Sequence, residues 1–181
     1  MRIWFTSDMH FNHTNIIKYC ERPFHTIDKM NEVLIRNWND RVKKEDIVYH
    51  LGDFCFYRGK EAAGSKTSVR EWESKLNGKV IHVLGNHDSH NSMMEQNLRI
   101  VTKFGNKLIL MTHIPPKETD NLEPYDLVLC GHVHEKWDHT WINGKLVINV
   151  GCDVHKFMPI NKNEIMRLVY KYEKERIKCT D

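Results

Sequence analysis

Val80-Ile81-His82-Val83-Leu84 runs directly into Gly85-Asn86-His87-Asp88, and the fold turns on how this stretch is read. The β-branched and aliphatic run predicts a short buried strand. Gly85 then ends it, and amide, imidazole and carboxylate side chains follow at once. The same sequence of events recurs four more times. Ile3-Trp4-Phe5-Thr6 leads to Asp8-Met9-His10, and Ile47-Val48-Tyr49 leads to Gly52-Asp53. Lys107 to Met111 leads to His113, and Leu127-Val128-Leu129-Cys130 leads to Gly131-His132-Val133-His134. In α/β sheets the C-terminal strand ends are where sites assemble.

Between these strands the pattern changes to helical spacing. Asn15 to Cys20 reads as a short helix. Asp28 to Val42 reads as a longer one, with Val33, Leu34, Trp38 and Val42 on one face and Asp28 as its N-cap. Ser68-Val69-Arg70-Glu71 matches a capping box, and Asn77-Gly78 supplies the stop after Leu76. Trp141-Ile142, Asn143-Gly144 and Leu146 to Val150 form the strongest hairpin signal. A final helix carries Ile165, Leu168, Val169 and Tyr172. Early βαβ alternation followed by crowded strands predicts an α/β layered domain, with two packed sheets or one mixed sheet.

The 181 residues suit a single domain spanning 1–181, and 40% hydrophobic with 28% charged is a globular composition. A net charge of +3 carries no strong basic footprint, so nucleic acid is possible as a partner but not indicated. The chain turns polar after five residues, too early for a signal peptide, and no stretch reaches membrane-span length. Cys20, Cys55, Cys130, Cys152 and Cys179 are scattered and never paired as C-x-x-C. They read as reduced thiols of a cytoplasmic protein.

Carboxylate, imidazole and amide oxygen without positioned thiolates suit Mn²⁺, Fe²⁺ or Zn²⁺ in near-octahedral coordination, not a structural zinc cluster. In Asp8-x-His10 and His132-x-His134, an extended backbone would point both side chains the same way. Gly52, Gly85 and Gly131 fit sharp exits from strand to ligand. His50 and His82 read as core histidines or as supports of a ligand. His25, His90 and His139 read as surface or loop residues, and Trp137 as packing that could stack on a base. Asp88 is a candidate to hold a ligand imidazole. His13 and His155 lie on segments suited to the site rim, where they could contact substrate.

As a set, Asp8-x-His10, Gly52-Asp53, Gly85-Asn86-His87-Asp88, His113 and Gly131-His132-x-His134 resemble the five ordered motifs of the calcineurin-like metallophosphoesterases. The flanking Trp4 to Phe11 and Tyr49 to Phe54 resemble the small, cap-less bacterial and phage members. The resemblance implies a layered β-sandwich of two packed mixed sheets flanked by helices. It implies two divalent metal ions, Mn²⁺ foremost. Asp8, His10 and His134 would hold one, Asn86, His113 and His132 the other, with Asp53 bridging. It also implies that His87 faces the substrate phosphate and protonates the departing oxygen, while a hydroxide between the metals attacks phosphorus. One departure stands out. The Ser/Thr phosphatase branch carries a second Asp after the bridging one, then an Arg; here Phe56 takes that place and Arg58 comes one position late. Arg58 is either a phosphate contact or a solvated loop residue. The expected function is hydrolysis of small phosphodiesters or phosphomonoesters such as nucleotides. The alternatives are a non-catalytic metal-binding scaffold and a nuclease acting on nucleic-acid ends. Oligomeric state is not legible.

Overall fold

A computed structural model describes residues 1–56, 69–88 and 97–178. Four strands form the first sheet: β1 (Ile3–Thr6), β2 (Ile47–His50), β3 (Lys79–His82) and β9 (Ile160–Asn161), in the order β3-β2-β1-β9. The first three are parallel, and β9 closes the edge antiparallel to β1. Five strands form the second: β4 (Arg99–Phe104), β5 (Lys107–Thr112), β6 (Leu127–Cys130), β7 (His139–Ile142) and β8 (Lys145–Asn149), in the order β4-β5-β6-β8-β7. Its inner strands β5, β6 and β8 are parallel, and its edges fold back as hairpins. Both sheets are therefore mixed, and the two-sheet alternative is the one realised.

Strand alternation explains how the layers adhere. In β1, Trp4 packs toward helices while Phe5 packs between the sheets. In β6, Leu127 and Leu129 face the inter-sheet core, and Val128 and Cys130 face a small outer cluster with Leu122 and Tyr125. The helical layer on the first sheet is α2 (Ile27–Arg41) with α1 (Ile16–Tyr19) and α3 (Val69–Glu73). α4 (Lys162–Lys178) docks Ile165, Val169 and Tyr172 into the inter-sheet core.

Several details differ from the sequence expectation. Thr26, not Asp28, caps α2, its hydroxyl accepting from the Lys29 amide at 3.2 Å. Thr26 has the extended backbone an N-cap requires, and Asp28 sits in the first turn, where its charge still favours the dipole. The buried stripe is Met30, Leu34 and Trp38, with Val33 only half-buried. Trp38 is fully buried, so Trp38→Ala would cost about 3–5 kcal/mol. Strand β4 is not anticipated ahead of Gly105-Asn106; as an edge strand alternating with exposed residues it has little apolar signature. Ser68 and Arg58 lie outside the described residues.

Candidate metal centre

The C-terminal ends of the parallel strands of both sheets meet, and the chain leaves each in an unusual conformation. Asp8 (φ 57°), His10 (φ 50°), Asp53 (φ 57°), His132 (φ 72°) and His134 (φ 50°) all occupy the left-handed region. Each such non-glycine residue costs about 1–3 kcal/mol, a cost that recurs at functional sites because the surroundings enforce it. This replaces the extended-chain argument for the D-x-H and H-x-H pairs. The side chains converge because the backbone turns, not because a strand alternates. The segments after β1 and β2 run side by side, with amides of Asp8, His10 and Phe11 donating to carbonyls of Gly52, Asp53 and Phe54 at 2.9–3.0 Å.

Asp53 is at the centre. Its Oδ2 lies 3.5 Å from His10 Nε2 and 3.3 Å from His113 Nε2, and its Oδ1 accepts the His87 amide at 2.9 Å. On one side, Asp8, His10 and His134 present donor atoms within 4.8 Å of one another. On the other, Asn86 Oδ1 lies 3.0 Å from His113 Nε2 and 2.9 Å from His132 Nδ1. All seven ligand positions named from the sequence thus come together, in the two groups the resemblance implies.

In three of the four imidazoles, those of His113, His134 and His10, the remote nitrogen is already committed. His113 Nδ1 donates to the Leu51 carbonyl at 2.8 Å, His134 Nδ1 meets Asp153 Oδ2 at 2.9 Å, and His10 Nδ1 meets His13 Nδ1 at 3.2 Å. Each ring is left with Nε2 aimed inward, as metal-binding histidines supported from behind are. His10 Nε2 is buried with no hydrogen-bond partner, a position that costs free energy unless a cation takes the lone pair. Close packing leaves no slack. A Cβ on Gly85 would fall on the amide and carboxylate of Asp53, and one on Gly131 on the side chains of Ser7 and Asp8. The donor set and the orphaned nitrogen both fit a pair of divalent ions.

The charges respond to this crowding. Burial pushes the Asp8 carboxyl up, and burial holds His10 well below its ordinary value. Burial alone would lower His113 and His134, but Asp53 raises the first to about 9 and Asp153 the second to about 10. Asp53 is held down, against its own burial, by His113.

Three supporting residues went unread in the sequence. Asp153 follows β8 as the candidate ligands follow their strands, and it faces His134. Buried Arg22 clamps it at 2.8 and 2.9 Å while also donating to the carbonyls of Asp8 and Met9. Asn149 donates to the carbonyls of His134 and Trp137 at 2.8 Å and accepts the Gly151 amide. The place of Asp153 after a strand is its signal in the sequence. His155 gives its Nε2 to the Asn149 carbonyl at 2.8 Å, which ties it to the scaffold. Among the described residues Asp88 is seen to hold no imidazole. It accepts the amides of Asp53 (2.7 Å), Gly85 (2.9 Å) and Phe54 (3.1 Å), fixing the bridging loop itself.

His87 is exposed at the mouth, its ring 5.5 Å from that of His10. His13 is buried beside His10 and stacked on Phe56 at 4.3 Å, and it lines the cavity that His10, His87 and His134 share. Phe56, the departure from the Ser/Thr phosphatase pattern, thus supplies an apolar wall. A cavity of about 270 Å³ opens beside His10, His87 and His134, and another of about 300 Å³ beside Asn86 and His113. His50 is fully buried with both ring nitrogens unpartnered, and His82 bonds Glu73 at 2.6 Å, which makes them core residues. Trp137 packs on the outer cluster of the second sheet.

Comparison with known proteins gives the family. An uncharacterized protein of Methanocaldococcus jannaschii is 35% identical over 173 residues, covering 94% of this chain and 92% of its own. The Gene 66 protein of Mycobacterium phage D29 is 23% identical, covering 88% and 92%. The crystal structure of a protein of unknown function from Aquifex aeolicus superposes with a TM-score of 0.70 at 27% identity, covering 92% of this chain and 98% of that one. The calcineurin-like phosphoesterase superfamily domain matches residues 1–163, ending at the start of α4. The chain whose strand ends gather these Asp, His and Asn side chains belongs to the calcineurin-like phosphoesterase superfamily.

Proposed function

We propose that this protein is a two-metal phosphoesterase that hydrolyses small phosphodiesters, with monoesters as the nearest alternative substrate. The observation that carries the reading is the placement of Asp53 Oδ2 between His10 Nε2 and His113 Nε2, at 3.5 and 3.3 Å. A carboxylate oxygen facing one imidazole from each ligand group suits a shared ligand. Asp8, His10 and His134 would hold one ion and Asn86, His113 and His132 the other. Mn²⁺ is the expected metal, with Fe²⁺ and Zn²⁺ compatible with the same donors. The pair, when bound, supplies Lewis acidity at the phosphoryl oxygens and a nucleophile at neutral pH.

The chain's own contribution is positioning. Asp88 pins the amides on both sides of Asp53, so the shared carboxylate is set before any ligand arrives. His87, fixed by its amide to Asp53 Oδ1, presents an exposed imidazole over the mouth. From there it can donate a proton to the departing oxygen, as a general acid within hydrogen-bond reach does. The open clefts on both flanks suit a small ester with two substituents on phosphorus. The test is hydrolysis of bis-p-nitrophenyl phosphate beside p-nitrophenyl phosphate with added Mn²⁺. Turnover should require metal, vanish in Asp53→Asn and fall by about 10²–10⁴ in His87→Ala. Metal-loaded protein inert on both esters would sink the proposal and favour a non-catalytic scaffold.

A further inference from the structure

We propose that Cys20, His134 and Glu135 form an alternative, inhibitory site, sharing His134 with the proposed metal pair, for a thiophilic divalent cation such as Zn²⁺. Their donor atoms lie within 4.8 Å of one another, yet neither Cys20 nor Glu135 belongs to the ligand groups of the metal pair. α1 delivers the thiol. Its C-cap is Cys20, whose amide closes on the Ile16 carbonyl at 3.0 Å, and whose side chain is half-buried on the wall of the 270 Å³ cavity. Cys55, Cys130 and Cys152 are buried instead. The single turn His134–Lys136 sets Glu135 beside its neighbour, exposed to solvent.

Sulfur, imidazole and carboxylate are a zinc set, and the open cavity leaves the fourth tetrahedral position to solvent. Thiolate donors select Zn²⁺ and Cd²⁺ over Mn²⁺ or Mg²⁺. Competition follows from His134. Its Nδ1 is committed to Asp153 at 2.9 Å, so Nε2 is the atom it has left to give. One lone pair serves one ion. A cation taken by Cys20 and Glu135 therefore withdraws His134 from the Asp8 and His10 group and occupies the cavity next to His87. Binding releases the thiol proton to solvent.

The binding claim stands on this geometry alone, while the inhibitory claim rests on the phosphoesterase reading. The experiment separates them. Full-length protein loaded with Mn²⁺ is titrated with Cd²⁺, following the ultraviolet thiolate-to-cadmium charge-transfer band. A saturable band is expected in the wild type, lost in Cys20→Ser, and weakened about 10-fold or more in Glu135→Gln, no less than the loss of a supporting group costs. No band, or an equal band in Cys20→Ser, overturns the site. Zn²⁺ is then added to the Mn²⁺-loaded proteins during ester hydrolysis, each scored against its own rate without zinc. Inhibition should need about 10-fold more Zn²⁺ in Cys20→Ser than in the wild type. Equal inhibition of both overturns the regulatory role, because zinc is then entering the metal pair directly. If neither protein turns over, the phosphoesterase reading has failed, and the cadmium band still decides the site.

Discussion

Asp153 Oδ2 lies 2.9 Å from His134 Nδ1, and the same carboxylate is gripped by the buried guanidinium of Arg22 at 2.8 and 2.9 Å. Arg22 also donates to the Asp8 carbonyl, so one side chain braces from behind two residues proposed to bind the same ion. Orientation is inherited outward through this chain, from Arg22 to Asp153 to His134.

Asp153→Asn should therefore weaken metal binding by about 10–100-fold without removing any ligand. Isothermal titration of metal-free protein with Mn²⁺ checks it. Unchanged affinity would mean that packing alone orients His134. The stability cost should also be visible, since breaking a buried charged pair costs about 3–5 kcal/mol.

Asp88→Ala removes the acceptor for three amides, those of Asp53, Phe54 and Gly85. Each buried amide left unpaired costs about 1–3 kcal/mol. The melting temperature should fall clearly below that of Asp53→Asn, although Asp53 is the residue proposed to bind metal. A variant as stable as the wild type would show that the loop is held by other contacts.

Metal binding should be linked to protons. In the metal-free protein His113 is raised to about 9 and His134 to about 10, so both carry protons at neutral pH. A ligand imidazole must be neutral, and the ions must displace those protons. Affinity should then rise with pH through neutrality and level off above these values. Calorimetry in buffers of different ionisation enthalpy should report about one to two protons released. A pH-independent affinity between mildly acidic and neutral conditions would contradict the assignment.

His50 supplies a second pH dependence. It is fully buried, both ring nitrogens lack partners, and burial holds it well below 6.5. Below 6.5 the unfolded chain gains a proton that the folded one refuses, so stability is lost as pH falls. The slope is up to about 1.4 kcal/mol per pH unit for the one group. His50→Leu should flatten the acid limb of a denaturation series and leave the neutral region little changed. An identical acid limb would show that another group dominates.

Much of this molecule is readable in one dimension, for a physical reason. The strands β1, β2, β5, β6 and β8 are buried and apolar, and each residue proposed as a ligand follows a strand end, so core and candidate site share one local signature. Asp8, His10, Asp53, Asn86, His87, Asp88, His113, His132 and His134 all stand out by it, and the family resemblance proposes seven of them as ligands. What local pattern could not carry was long-range. The left-handed turns at Asp8, His10, Asp53, His132 and His134 are unfavourable locally and persist because neighbouring segments enforce them. The partners of Asp88, the clamp of Arg22 on Asp153, 131 residues away in sequence, and the meeting of Cys20 with His134 exist only once the two sheets pack. Edge strand β4 escaped notice for the opposite reason: half-exposed, it has no buried face long enough to write itself into the pattern. Residue type and spacing determined which atoms could bind a metal. Tertiary packing decided which nitrogen of each imidazole faces inward, because that choice is made by whatever lies behind the ring.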